Sequence, residues 1–283
     1  MPLTLVPTPI GNLEDITLRA LRVLQKADII ACEDTRTSSI LLRHYDITAP
    51  GGLVPFHLHN ENRCLPRLLD ALREGKYVAV ISDAGTPGIS DPGWILLRRA
   101  LDEGLEADVL PGPSAVLPAV LLSGLTPHPF LFYGFPPEKP GERAKLFQSL
   151  AEFPWTLCFY VSPHKAARQI GEMTEALGDR RAALVREISK VHQEAVRGRL
   201  SDILARVEAG LKGEMVLAVE GCSSEATADG SGGEWQAEAD ELRDAGKTVR
   251  ETVREIIARY PVAKNAVKEY LMRDQGRLGN FSL

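Results

Sequence analysis

From residue 3 to about residue 220, short runs of β-forming residues alternate with amphipathic helical runs. This alternation constrains the chain more than any other feature: it predicts an α/β fold with largely parallel strands. Strands are expected at 3–7, 27–32, 52–56, 77–82, 107–110, 130–133, 156–161, 182–186, 194–197 and 214–219. Helices are expected between them, at 17–26, 62–74, 94–103, 116–123, 143–151 and 164–177.

Two breaks divide the pattern. Pro136-Pro137-Glu138-Lys139-Pro140-Gly141 is proline-rich and polar and falls near the middle of the α/β region. It predicts an N-terminal domain of residues 1–136 and a second α/β domain of 137–222, as expected for a chain too long for one core. Residues 223–236 carry the second break, whose Ser, Gly, Ala and Asp residues show no periodicity up to Gly233 and read as a flexible linker. Residues 237–283 turn all-helical, with helices at 237–245, 249–258 and 263–272, and read as a small helix-turn-helix-like appendage.

Composition excludes several classes. Cys32, Cys64, Cys158 and Cys222 lie far apart with no C-x-x-C pair, so neither a zinc knuckle nor a disulfide framework is expected. No run of about 18 apolar residues occurs, and the first residues lack a basic segment followed by an apolar one. The expectation is a cytoplasmic protein with no membrane partner. The formal net charge of −5 argues at first sight against a nucleic-acid substrate.

The chemistry concentrates in loops that follow strands. After Val78-Ala79-Val80-Ile81 comes Ser82-Asp83-Ala84-Gly85-Thr86-Pro87-Gly88-Ile89-Ser90-Asp91-Pro92-Gly93, a loop of fixed shape with little side-chain bulk. It lies where α/β sheets bind ligands, at the carboxyl end of a strand. It matches neither the dinucleotide fingerprint nor the P-loop, which disfavours a dehydrogenase or a kinase. Two more such loops are Thr8-Pro9-Ile10-Gly11-Asn12-Leu13, with Asn12 or Asp15 as a helix cap, and Leu110-Pro111-Gly112-Pro113-Ser114-Ala115, with Ser114 placed to cap the next helix. Each alone reads as a capping turn; their recurrence favours one shared cleft.

These loops, with Cys32-Glu33-Asp34-Thr35-Arg36 and Phe159-Tyr160-Val161-Ser162-Pro163-His164-Lys165, resemble in series those of the bacterial 16S ribosomal RNA cytidine 2′-O-methyltransferases. That family belongs to the tetrapyrrole methylase superfamily, and the resemblance runs over residues 3–221, with a weaker one over 242–271. It implies a two-domain tetrapyrrole-methylase-like fold, S-adenosylmethionine as cofactor, 16S ribosomal RNA of the small subunit as partner, and a homodimer. It further implies cofactor contacts from Pro9, Asp83, Ala84, Gly85, Thr86, Pro87, Ser114, Ala115, Tyr160 and Val161. Val161 stands where that family more often has Glu, so the implication rests there on the strand and not on the side chain. The linker is also longer than the family's.

For the acceptor side, methyl transfer needs a hydroxyl held in line and water kept out, helped by a group that takes the proton. Glu33, Asp34 and Lys190 are the candidate catalytic groups, Lys190 as a base only if burial lowers its pKa. Arg36, His59, Asn60 and Arg186 are the candidate RNA contacts. The alternative for Asp34 and Arg36 is an ion pair that caps the next helix. His57-Leu58-His59 could bind a metal, but no partner ligands accompany it, and strand alternation would give the same spacing. Arg19, Arg22 and Lys26 share a helix face that reads best as a solvated stripe.

Two rival functions remain open at this point: methylation of a small corrin precursor, and a scaffold that binds cofactor without catalysis. Residues 237–283 hold nine basic against eight acidic residues, so the negative charge, a net −6, sits in residues 1–236. Where cations cluster decides RNA binding, not their sum. A weak RNA binder that needs a preassembled ribosomal target is expected.

Overall fold

The computed structural model describes residues 2–222, 234–260, 262 and 264–273. They fall into two compact units, one drawn from residues 1–151 and 155–220 and the other from 152–154 and 221–283.

The first unit contains two five-stranded sheets. In the first sheet, β1 (Leu3–Leu5), β2 (Ile29–Cys32), β3 (Leu53–Pro55), β4 (Val78–Ile81) and β5 (Ala107–Val109) run in the order β3-β2-β4-β1-β5. All its pairings are parallel. The central strands are almost wholly apolar because helices cover both faces, which parallel sheets require. Strand alternation sorts their side chains between two cores. Ala31, Val78 and Val80 pack on one face with Leu68 and Leu72 of α3 (Glu61–Arg73) and Leu96 of α4 (Trp94–Asp102). Ile30, Ala79 and Ile81 pack on the other with Leu24 of α1 (Leu18–Lys26) and Leu42 of α2 (Thr35–His44).

The second sheet is built differently. Its strands β6 (Phe130–Gly134), β7 (Thr156–Val161), β8 (Arg181–Arg186), β9 (Glu194–Arg199) and β10 (Met215–Val219) run in the order β6-β7-β10-β8-β9. Only β6 and β7 are parallel; β10 pairs antiparallel with β7 and β8, and β8 with β9. The expectation of largely parallel strands therefore holds for the first sheet and fails for the second. β8 and β9 are joined by residues 187–193, too few for the crossover that parallel neighbours need. Helices α5 (Val116–Ser123), α6 (Pro140–Ser149), α7 (Ala166–Leu177) and α8 (Leu200–Glu208) complete this part.

The proline-rich stretch 136–141 is held by Lys165, which pairs with Glu138, and by Arg143. Arg143 of α6 is fully buried, forms a two-pronged ion pair with Glu172 of α7 (Nη2 to Oε1, 2.7 Å), and donates to the Pro137 and Glu138 carbonyls at 3.0 and 2.8 Å.

In the second unit, α9 (Glu234–Asp244), α10 (Val249–Arg259) and α11 (Lys264–Arg273) form a small helical core of Trp235, Ala239, Val253, Ile256, Val267 and Leu271. Thr248 and Glu251 close a capping box at the start of α10. The expected linker stretch 223–233 lies outside the described residues, as do residues 274–283. No helix among the described residues is long and apolar enough to cross a membrane.

Candidate active site

The loops at the carboxyl ends of the first sheet are knitted together by backbone. Thr8 and Gly85 exchange two backbone hydrogen bonds of 2.9 and 3.0 Å, joining the loop after β1 to the loop after β4. The Thr8 hydroxyl donates to the Ser82 carbonyl at 3.0 Å, and the Thr86 hydroxyl donates to the Pro113 carbonyl at 3.2 Å, which ties in the loop after β5. Gly85 and Gly88 adopt φ of +79° and +88°, which residues with a Cβ rarely reach. The sequence can therefore make this loop only with glycine at those places.

A fourth segment, residues 187–190 after β8, closes on the first loop. A Cβ at Gly11 would lie 3.0 Å from the Ile188 carbonyl oxygen, so glycine permits this approach. Glu187 and Ser189 hold φ of +51° and +65° there, strained conformations of the kind that cluster at ligand sites.

Between these loops and the second sheet lies a cavity of about 740 Å³, within the range of roughly 300–1,000 Å³ that small-molecule sites occupy. It brings together Asp83, Ala84, Gly85, Thr86, Ser114, Ala115, Tyr160, Val161 and Glu33 from the expected set. Pro9 and Pro87 shape the loops without lining the cavity. Sequence reasoning missed Asp91 as a lining residue and the aromatic wall on the opposite side. That wall is Phe130, Phe132, Phe135 and Tyr160, with Phe132 and Phe135 ring centroids 4.9 and 5.2 Å from that of Tyr160. The clustering of Phe130-Leu131-Phe132-Tyr133-Gly134-Phe135 was the available signal.

The two walls differ in charge. Burial pushes the Glu33 and Asp83 carboxyls up, partly offset by backbone N–H groups: Asp83 Oδ1 accepts from Asp34 N at 3.1 Å and Glu33 Oε2 from Asp83 N at 3.5 Å. Asp91 is pushed up to about 6, first by burial and then by the Glu33 and Asp83 charges. Burial, and next the Asp91 charge, raises the Tyr160 hydroxyl.

Several expected roles do not survive the geometry. Burial alone would lower the Lys190 ammonium, but hydrogen bonds to Glu214 (3.0 Å) and Glu187 (3.1 Å) outweigh it and raise its pKa. The condition for a lysine base is not met. Asn60 is buried, accepts from His57 N at 2.8 Å and donates to the Pro55 carbonyl at 3.0 Å, so its amide shapes the turn and does not face RNA. Arg186 pairs with Glu194 at 2.8 Å and donates to the Lys212 carbonyl at 2.9 Å, which commits it to the second sheet. Ser114 caps nothing: the N-cap of α5 is Ala115. Asp34 caps α2 through Arg36 N at 2.8 Å and pairs with the Arg36 side chain, which holds its carboxyl down at about 2. Arg36 itself stays exposed, as does His59. His57 and His59 lie in the turn before α3 and not on a strand; among the described residues no cluster of three His, Cys, Asp or Glu could hold a metal ion. Arg19 pairs with Asp108.

An α/β unit with a doubly lined cavity at the carboxyl ends of its parallel strands has the form of a small-molecule-binding site. The sequence pattern of the tetrapyrrole (corrin/porphyrin) methylases matches residues 2–204, and the chain belongs to that family. It is therefore an S-adenosylmethionine-dependent methyltransferase. It is 47% identical over 220 residues to the ribosomal RNA small subunit methyltransferase I of Mesorhizobium japonicum, covering 77% of this chain and 74% of that one. It is 38% identical over 268 residues to the protein of the same name from Bacillus subtilis, covering 94% and 88%. A crystal structure of diphthine synthase shares the fold, with a TM-score of 0.60 at 14% identity, over 77% of this chain and 89% of that one.

The cavity suits the family's cofactor. S-adenosylmethionine carries a sulfonium and an ammonium cation, a purine and ribose hydroxyls. Asp83 favours the cations and hydroxyls, the aromatic wall offers a stacking surface, and the Gly and Ala loops admit a ligand close to backbone.

Proposed function

We propose that the chain methylates the ribose 2′-hydroxyl of a cytidine in 16S ribosomal RNA, within the small ribosomal subunit, from S-adenosylmethionine bound in the cavity. The observation that carries this reading is the pairing of one carboxylate-lined wall with one aromatic wall in a single open cavity. Relatives named ribosomal RNA small subunit methyltransferase I, identical at 38–47%, supply the substrate class.

S-adenosylmethionine supplies an electrophilic methyl carbon on sulfur. The chain's own residues do the rest: the loop 83–87, Ser114 and Ala115 hold the donor, while β7 at Tyr160 and Val161 walls it off from water. Arg36 and His59, exposed at the ends of β2 and β3, meet phosphate or ribose. The expected boundary at 136 falls inside the second sheet, whose first strand, β6, is residues 130–134, so the sheets divide ahead of α5 and not at the proline-rich stretch; the α9–α11 unit is read as an RNA-facing appendage. A cytoplasmic homodimer completes the reading. Leu117 and Leu121 support it: they expose 58% and 70% of their surface on α5, a helix apolar on every side that gains from a partner surface.

Radiolabelled S-adenosylmethionine, offered with small subunits, naked ribosomal RNA or a corrin precursor, tests the proposal. Label is expected in small-subunit RNA at a cytidine, in a dinucleotide that resists alkali because the blocked 2′-oxygen cannot attack its phosphate. Label in a base or in the corrin overturns the reading.

A further inference from the structure

Four carboxylates line the cavity: Glu33, Asp83, Asp91 and Glu214. Three are already engaged. Asp83 and Glu33 each accept a backbone N–H, at 3.1 and 3.5 Å, and Glu214 accepts the Lys190 ammonium at 3.0 Å. Asp91 accepts no hydrogen bond from any described residue, although it is half-buried. Its oxygens still reach the cavity and are not taken up by the protein, so they are open to a donor that a ligand brings.

Its place in the loop narrows what that ligand group is. Asp91 ends the 82–91 loop where the two walls meet, facing Glu33 and Asp83 from the first sheet and the Tyr160 ring from the second. No cation is paired with it among the described residues. A base works best when its pKa lies close to the working pH, and this surrounding keeps Asp91 closer to neutrality than a solvated carboxylate.

We propose that Asp91 is the proton acceptor for the substrate hydroxyl. This rests on the ribose-methylation reading above. As the acceptor oxygen bonds to the methyl carbon, the sulfur–methyl bond breaks and its electron pair stays on sulfur. The hydroxyl proton passes to a carboxylate oxygen of Asp91, which releases it to water after product leaves.

Asp91→Asn keeps the shape and removes the basicity. The test combines three measurements on the full chain: single-turnover methylation of small subunits, its pH profile from 5 to 9, and calorimetric binding of S-adenosylhomocysteine. The expected result is a rate loss on the order of 100-fold, the scale of one general base. The acidic limb that wild type shows as Asp91 protonates, about pH 6, is expected to vanish, while cofactor affinity stays within a few-fold. An unchanged rate and acidic limb overturns the proposal. So does a tenfold or larger loss of cofactor affinity with single-turnover rate preserved at saturation, which makes Asp91 a cofactor ligand. If wild type itself places no label on ribose, the functional reading fails first, and the two failures are distinguished.

Discussion

The two walls of the cavity treat charge in opposite ways. The second sheet and its helices hold matched ion pairs: Arg143 with Glu172, Arg186 with Glu194, Lys190 with Glu187 and Glu214. On the first-sheet side Glu33, Asp83 and Asp91 crowd together with none of the three in an ion pair among the described residues, and all three carboxyls are pushed up. Matched charges hold a scaffold rigid. Unmatched ones of like sign persist only where a ligand compensates them, so the second sheet supplies shape and the first supplies chemistry.

The largest effect that tests this contrast belongs to the scaffold. Arg143→Ala leaves the Glu172 carboxylate without its partner and the Pro137 and Glu138 carbonyls without their donor. The expected loss is roughly 3 kcal/mol of stability. For a unit of this size that is a fall in Tm of roughly 6–12 °C, read by calorimetry. Cofactor affinity measured well below the new Tm stays unchanged. If affinity collapses in the folded variant, the second sheet's charges serve binding too, and the division between walls is wrong.

The middle effect concerns stability at the chemical wall. The Asp91 carboxyl titrates at about 6 when folded against an ordinary value of 3.8, so the folded state holds its proton more tightly than the unfolded one. Above pH 6 the folded protein carries the full penalty of a charged, half-buried carboxylate; below about 3.8 the group is protonated in both states and the penalty is gone. Asp91→Asn therefore stabilises the fold above pH 6, on the order of 1 kcal/mol once partial exposure is allowed for, and the gain closes as pH falls towards 4. Thermal melts of both proteins between pH 4 and 8 measure it. A variant that melts lower at every pH makes Asp91 part of the scaffold.

Much of this arrangement was legible in the sequence, and what was not has physical reasons. All ten strands lie where period and composition place them, because runs such as Val78-Ala79-Val80-Ile81 have no other stable environment. The loop 82–93 announced itself through glycines whose φ the structure requires, and 110–115 through Gly112, where a Cβ would lie 2.7 Å from the Pro7 side chain. Strand direction in the second sheet was not legible, since an apolar strand reads alike in either pairing. The roles expected of Lys190, Asn60 and Arg186 share one difficulty: a polar side chain next to a ligand loop looks the same in sequence whether it faces the ligand or bonds within the protein, to backbone for Asn60 and Arg186 and to the Glu187 and Glu214 carboxylates for Lys190. Asp91 was hidden in the converse way. Its Asp-Pro-Gly context reads as a turn, and its lack of a partner is visible only once the surrounding charges are placed.

The smallest effect falls at the rim, where the contrast between walls is at its sharpest. Arg36 exposes 89% of its side chain, and its pairing with Asp34 is a surface contact of the kind that adds little to stability. Asp34 caps α2 through the Arg36 backbone N–H, which remains after the side chain is removed. Arg36→Ala is therefore expected to leave Tm and cofactor affinity nearly unchanged. If Arg36 meets an RNA phosphate, affinity for small subunits falls several-fold and the slope of log affinity against log salt shrinks by about one charge. A loss that appears equally at every salt concentration means Arg36 acts through Asp34 and the cap, and the first-sheet rim then belongs with the scaffold and not with the substrate.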